Sequence, residues 1–306
     1  MFVRVLAQLA GDATAPFGGW RGAFADYYDL TKPRIVSLLL VTTLAAMVMA
    51  ARGLPPLGLI LATLIGGALF AGSAGAFNCI IDRDIDRLMA RTQGRPLAAG
   101  RIEIAHAALF ATVLGILAFA LLYTFVNSLA AWLSLAGNLY YVVIYTLWLK
   151  RSTALNIVIG GVAGAIPPLV GWAAVTHTIG LPALGLFALI FLWTPPHFWA
   201  LALMVETDYH RANIPMLPNV RGVEHTKLQI FIYTMILVAV SLALTPLGIL
   251  GWWYFFPAAI LGAVFLIDAW KMLRGPTRPL ARTVFTYSLL YLALMCAAMV
   301  ADRVIG

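Results

Sequence analysis

Nine apolar stretches, each long enough to cross a bilayer, run the length of this chain at residues 34–51, 57–78, 106–124, 128–148, 155–175, 182–205, 228–248, 251–268 and 284–302. A helix needs about 20 apolar residues to span the hydrocarbon core. The stretches are continuous rather than alternating, which excludes the strands of a membrane barrel. Hydrophobic residues make up 62% of the 306 positions and charged residues only 10%. A soluble domain carries about 25% charged residues, so the whole chain, not one anchor, belongs in lipid. The fold expected is an all-α membrane protein with nine transmembrane helices.

The net charge of +8 raises nucleic acid as a partner, but the placement of the charges argues against it. With the N-terminus inside, the inner segments hold Arg4, Arg21, Lys32 and Arg34; Arg83, Arg87, Arg91, Arg95 and Arg101; Lys150 and Arg151; Arg211, Arg221 and Lys227; and Lys271, Arg274, Arg278 and Arg282. The outer side keeps Arg52 and Arg303. That divides the 20 Lys and Arg residues 18 to 2. The positive-inside rule then puts the N-terminus in the cytoplasm and, after an odd number of spans, the C-terminus in the periplasm. Cys79 and Cys296 both lie in apolar stretches and read as inert buried thiols. The start of the chain lacks the basic, apolar and small-residue succession of a cleaved signal. A bacterial inner membrane is the expected location. Residues 1–25 read as a mobile tail, 26–306 as a single transmembrane domain, and 26–33 as an interfacial lead-in to the first span. The outer connections are very short, and polar residues collect in the inner ones after spans two and six.

The sharpest local pattern is Asn78-x-x-x-Asp82-x-x-x-Asp86, at the inner end of span two and just after the small-residue run Gly72-Ser73-Ala74-Gly75-Ala76. On a helix each step of four residues advances about 40°, so the three side chains form one drifting stripe. Oxygen-bearing groups at a membrane boundary are costly to desolvate and need a reason. Oxygen ligands alone suit Mg²⁺, which is commonly held by one or two carboxylates plus substrate phosphates. The bland alternative is a solvated helix end in which the acids pair with Arg83 and Arg87. Asp84 falls off the stripe and reads as a salt-bridge partner. The loop continues Arg91-Thr-x-x-Arg95-Pro-Leu and then Gly100-Arg101; its guanidinium forks suit phosphate oxygens, or supply positive-inside charge alone.

These residues together resemble the intramembrane aromatic prenyltransferases. The resemblance implies nine helices around a central cavity and an isoprenoid diphosphate bound through Mg²⁺ by two aspartate-rich motifs. Three further segments resemble the haem O synthase branch of that family: Leu30-Thr-Lys32-Pro-Arg, Trp193-Thr-Pro-Pro-His197-Phe-Trp, and Asp208-Tyr209-x-Arg211-Ala-x-Ile-Pro215. Tyr145-Thr-x-x-Leu-Lys150-Arg151 and the Gly160 to Pro168 segment support them, and the similarity runs from about residue 26 to 300. It implies farnesyl diphosphate as donor and haem b as acceptor, with Asn78, Asp82, Asp86 and Asp208 as metal-holding catalytic residues. It further implies Lys32, Arg91, Arg95, Lys150, Arg151 and Arg211 on the diphosphate, His197 and Tyr209 on haem, and a haem A synthase or oxidase assembly factors downstream. Two departures stand out. Where the wider family has the first acid of its second motif, this chain has Met204, which leaves Asp208 with Glu206 nearby. Asn213 stands where the branch has glycine, and asparagine tolerates the left-handed turn this requires.

Several residues keep two readings. His197 follows Pro195-Pro196 inside span six, where freed backbone allows irregular geometry. It could ligate haem iron, hydrogen-bond a haem substituent, or join two helices. Tyr209, Arg211 and Lys227 could meet the diphosphate or a haem propionate. Tyr140, Tyr141, Tyr145, Trp148 and Trp193 could shield a carbocation, or serve as interfacial anchors. Three competing functions have different signatures. A quinone-precursor or chlorophyllide prenyltransferase should carry a full second motif. A secondary transporter should show paired broken helices at the midplane. A haem chaperone leaves the Asn78–Asp82–Asp86 stripe unexplained.

Overall fold

The computed structural model describes residues 19–305, and every span expected from hydropathy is a helix within it. The elements in chain order are α1 (Gly19–Leu30), α2 (Pro33–Ala51), α3 (Leu57–Ile81), α4 (Arg83–Asp86), α5 (Ile104–Phe125) and α6 (Ser128–Leu139). The last runs directly into a π-helix, Tyr140–Leu149, and then α7 (Lys150–Ser152). There follow α8 (Asn156–Thr176), α9 (Leu181–Met204), α10 (Glu206–Arg211), α11 (Leu217–Arg221), α12 (Val223–Ala243), α13 (Trp252–Arg274) and α14 (Thr277–Ile305). Counting Ser128–Ser152 as one, nine segments among the described residues are long and apolar enough to cross a membrane. Helix α1 begins inside the segment read as a tail, and residues 1–18 lie outside the described residues.

Successive spans pack side by side, and α14 returns against α2 to close the bundle. Helix α9 is the most buried span and touches α8, α12 and α14. The outward faces carry large apolar side chains in the open. Leu109, Ile116 and Trp253 are all more than 60% exposed. A surface so rich in such groups suits lipid and not water. The chain is a multi-pass membrane protein.

In lipid, helices are joined by close packing and hydrogen bonds rather than by hydrophobic burial, and the connections show it. Asn127 caps α6 by accepting from the Ala130 N–H at 2.8 Å, while its amide donates to the Ala173 carbonyl at 2.9 Å. Asp302, near the end of α14, accepts from the Gly251 and Tyr254 N–H groups at 2.7 and 3.0 Å. This satisfies donors that the start of α13 leaves open. The double prolines of α8 and α9 sit inside helices that run on through them, so the irregular backbone expected at Pro195-Pro196 does not interrupt α9.

Candidate active site

The polar stripe of α3 keeps its expected alignment because the backbone barely breaks. Asp82 is the C-cap of α3, yet its N–H still donates to the Asn78 carbonyl at 2.9 Å, and the Asp86 N–H donates to the Asp82 carbonyl at 2.8 Å. Asn78, Asp82 and Asp86 are all buried, at 2%, 0% and 1% exposure. Such groups persist only with partners, and each has its own.

Lys32 donates to Asn78 Oδ1. It reaches this position because the chain turns sharply between α1 and α2, with Lys32 itself left-handed at φ 54°. The small residues of α3 make room for that turn. A Cβ on Gly75 would lie 3.0 Å from the Leu30 carbonyl oxygen and one on Gly72 3.2 Å from the Thr31 side chain. Burial pushes the Lys32 ammonium below the ordinary lysine range. Lys150, at the end of the π-helix, pairs with Asp82 Oδ2. Asn78 donates through Nδ2 to the same Oδ2 at 2.8 Å and to Thr146 Oγ1 at 3.1 Å. Arg95 clasps Asp86 at 2.7 and 2.9 Å. Burial opposes its charge, but Asp86 outweighs that and leaves the guanidinium raised.

Arg151 meets the stripe only at long range, with Nη2 3.9 Å from Asp82 Oδ1. It forks onto Asp84 at 2.6 and 2.7 Å and donates to the Ile81 carbonyl at 2.7 Å. Asp84 is therefore the salt-bridge partner its position off the stripe suggested. Burial acts to raise its carboxyl, and the Arg151 fork overrides this and holds it below the usual carboxylate range. Arg91 is exposed, and so is Arg211 at the end of α10. Lys227 lies apart from the cluster, tied to Glu224 and to the Gly275 carbonyl at the end of α13.

The second inner loop reaches the first through Asp208. Its two carboxylate oxygens accept from the Ala90 and Arg91 N–H groups, each at 3.4 Å. Among the described residues no three acidic, histidine or cysteine side chains are grouped closely enough to hold a metal ion by themselves. Like charges do not gather without a cation between them, and each carboxylate here rests on its own lysine, arginine or backbone donor. Met204 ends α9, packed at the edge of the apolar core. Asn213 adopts φ 52°, the left-handed turn expected of it.

The donor set nonetheless fits a hard divalent cation. Asp82 Oδ1 is buried with no hydrogen-bond partner among the described residues, and Arg151 Nη2 is 3.9 Å from it. An acceptor left over in a buried site, on a stripe that also carries an amide oxygen and a second carboxylate, is what an octahedral oxygen-binding ion uses when phosphates complete its shell.

His197 sits elsewhere. Its Nδ1 lies 2.7 Å from Ser288 Oγ on α14, and its ring is stacked between Trp193 and Phe285 at centroid distances of 4.3 and 4.7 Å. Trp193 donates to the Ser288 carbonyl at 2.7 Å. This is a helix-to-helix junction with both ring faces covered. Tyr209 is buried in the main apolar cluster. Trp148 is exposed on the lipid face, while Tyr141 and Tyr145 stack at 5.4 Å on the π-helix. A shallow apolar groove lined by Phe231, Met235, Leu266, Ile267 and Trp270 lies on α12 and α13 and shares no residue with the charged cluster.

A family model described as the UbiA prenyltransferase family matches residues 39–298. The chain belongs to the UbiA prenyltransferase family. Protoheme IX farnesyltransferase of Gloeobacter violaceus, a relative, is 56% identical over 284 residues, covering 92% of this chain and 93% of that protein. The same fold occurs in a solved digeranylgeranylglyceryl phosphate synthase, with a TM-score of 0.78 and 18% identity over 92% of this chain and 99% of that one. It occurs also in a UbiA homolog from Archaeoglobus fulgidus bound to DMAPP and Mg²⁺, with a TM-score of 0.66 and 17% identity over 90% of this chain and 99% of that one. The family's prenyl-transfer chemistry accounts for acids and bases crowded at one end of an apolar bundle. Sequence reasoning missed Thr146 in this site. Its only sign was a hydroxyl next to Tyr145 in an otherwise apolar run.

Proposed function

We propose that this enzyme transfers the farnesyl group of farnesyl diphosphate to a vinyl group of haem b, with addition of water, to give haem O. The observation that carries the reading is the near full-length identity to a protoheme IX farnesyltransferase. The buried oxygen stripe supports the diphosphate half of the reaction.

Asn78, Asp82 and Asp86, with Asp208 approaching from the second loop, would hold Mg²⁺. When bound, the ion would neutralise charge on the diphosphate. Lys32, Lys150 and Arg95 stand beside these acids and can turn to the phosphate oxygens, with Arg91, Arg151 and Arg211 around them. Such fixed cations favour the leaving group as its charge develops. The C1–O bond of the donor breaks, with its electron pair leaving on the diphosphate. The vinyl π electrons of haem b form the new C–C bond. The resulting cation is stabilised by the adjacent pyrrole, water adds to it, and a proton is released. The apolar bundle delays capture of the allylic cation by water. His197 and Tyr209 remain candidates for the haem side.

The charge distribution supports an N-terminus in the cytoplasm, a site at the cytoplasmic end and a C-terminus in the periplasm. A bacterial inner membrane is the proposed setting, and a haem A synthase or oxidase assembly factors would take the product. Purified protein incubated with haem b, farnesyl diphosphate and Mg²⁺ should yield haem heavier by one farnesyl group plus one hydroxyl group. Haem recovered at unchanged mass, while a quinone precursor is prenylated, would assign the enzyme to another branch.

A further inference from the structure

The least expected element in the site is the π-helix of Tyr140–Leu149. Stretches of this kind are rare and often mark functional positions. Its i→i−5 bonding is visible at its end, where the Lys150 N–H donates to the Tyr145 carbonyl. Within it, Thr146 is fully buried. Its hydroxyl donates to the carbonyl of Tyr141, five residues back, at 2.8 Å. A hydroxyl has one hydrogen, so once that hydrogen is committed, Thr146 Oγ1 can only accept. It accepts from Asn78 Nδ2 at 3.1 Å.

This fixes which way round the Asn78 amide sits. One Nδ2 hydrogen goes to Asp82 Oδ2 and the other to Thr146 Oγ1. The remaining atom, Oδ1, is thereby turned toward the cationic side, where Lys32 now meets it. If Asn78 were reversed, a carbonyl oxygen would face both the Asp82 carboxylate and a hydroxyl with no hydrogen to give. We propose that Thr146 is a positioning residue of the metal and diphosphate site. The π-helix directs its hydroxyl so that Asn78 presents its amide oxygen, and not its NH₂, to the cation. The proposal rests on the metal role of Asn78, Asp82 and Asp86 given above.

The test is titration of the purified protein with Mn²⁺ alone, an oxygen-seeking stand-in for Mg²⁺, followed by loss of the free-ion electron paramagnetic resonance signal. Outer partners of metal ligands are commonly worth 10–100-fold in affinity. Thr146→Val keeps the shape and removes the hydroxyl, and should weaken Mn²⁺ binding by roughly 10-fold. Thr146→Ser should restore it to within about 2-fold, since a serine hydroxyl can make the same bonds. If Thr146→Val does not fold, Thr146→Ala removes the hydroxyl without adding bulk. In an Asn78→Ala background the loss of the hydroxyl should change Mn²⁺ affinity by less than about 2-fold, because coupled residues are not additive. Wild-type affinity in Thr146→Val, equal weakening in Thr146→Ser, or additive losses with Asn78→Ala would each overturn the positioning role while leaving the metal site standing. No Mn²⁺ uptake by the wild-type protein would instead remove the metal site and the positioning role together.

Discussion

The two large inner loops stand at equivalent places in the chain, after spans two and six, but they are built differently. The first carries Asn78, Asp82 and Asp86 in the buried interior, each matched to a cation or an amide. The second offers one half-buried carboxylate, Asp208, which binds the backbone of the first loop rather than a cation. Where a second acid could have stood, Met204 packs at the edge of the core. The contrast is a division of labour: the first loop carries the buried charged groups, and the second braces it through the backbone of Ala90 and Arg91.

That division can be broken most directly at Asp82. Asp82→Ala or Asp86→Ala should lower haem O formation by at least roughly 10²–10³-fold, the scale of losing a group that stabilises developing charge. The protein should still insert into membranes, and the haem product is read by mass. Asp208→Asn should cost less, about 10-fold, because asparagine keeps an oxygen at the place from which Asp208 approaches the buried donor set. Stability should follow the same order. Lys150→Met takes the nearest cation from buried Asp82 and leaves it the Asn78 amide and the more distant Arg151, which costs about 3 kcal/mol, seen as a lower unfolding midpoint. In Asp208→Asn the two long backbone bonds are weakened, with a loss of about 1 kcal/mol or less. His197→Ala sharpens the picture on the acceptor side. Loss of its Ser288 bond and ring stacking should cost about 1–3 kcal/mol. An altered spectrum of bound haem at unchanged stability would make His197 a haem ligand, and the reverse pattern would make it a joint between α9 and α14.

Much of this was legible in the sequence. Continuous apolar runs are separated by polar turns, so all nine spans could be placed to within several residues. The Asn78–Asp82–Asp86 stripe was readable because a helix repeats its faces at regular spacing, and the backbone bonds through Asp82 preserve that repeat. Asp84 was readable for the same reason, as the residue off the stripe. The partners across the bundle were not. Nothing local joins Lys32 to Asn78, since the contact depends on α1 and α2 turning tightly over Gly75. The π-helix was invisible too. Apart from Thr146 and the tyrosine hydroxyls its residues are apolar, as in an ordinary span. The Tyr145 ring packs against Gly160 of α8, which has no Cβ. Without the shift to i→i−5 bonding, neither Thr146 nor Lys150 could be assigned a direction. His197 kept several readings in the sequence for the same reason. Its contacts with the Trp193, Phe198 and Phe285 rings and with Ser288 on the facing helix depend on packing across the bundle.

The central claim is that the first loop carries the diphosphate chemistry and the second supports it. Its most direct test is haem O formation from haem b and farnesyl diphosphate, measured side by side for wild type, Asp82→Ala and Asp208→Asn at saturating Mg²⁺. The expected result is near-complete loss in Asp82→Ala and a partial loss in Asp208→Asn. Near wild-type product from Asp82→Ala, or equal loss in the two variants, would contradict it.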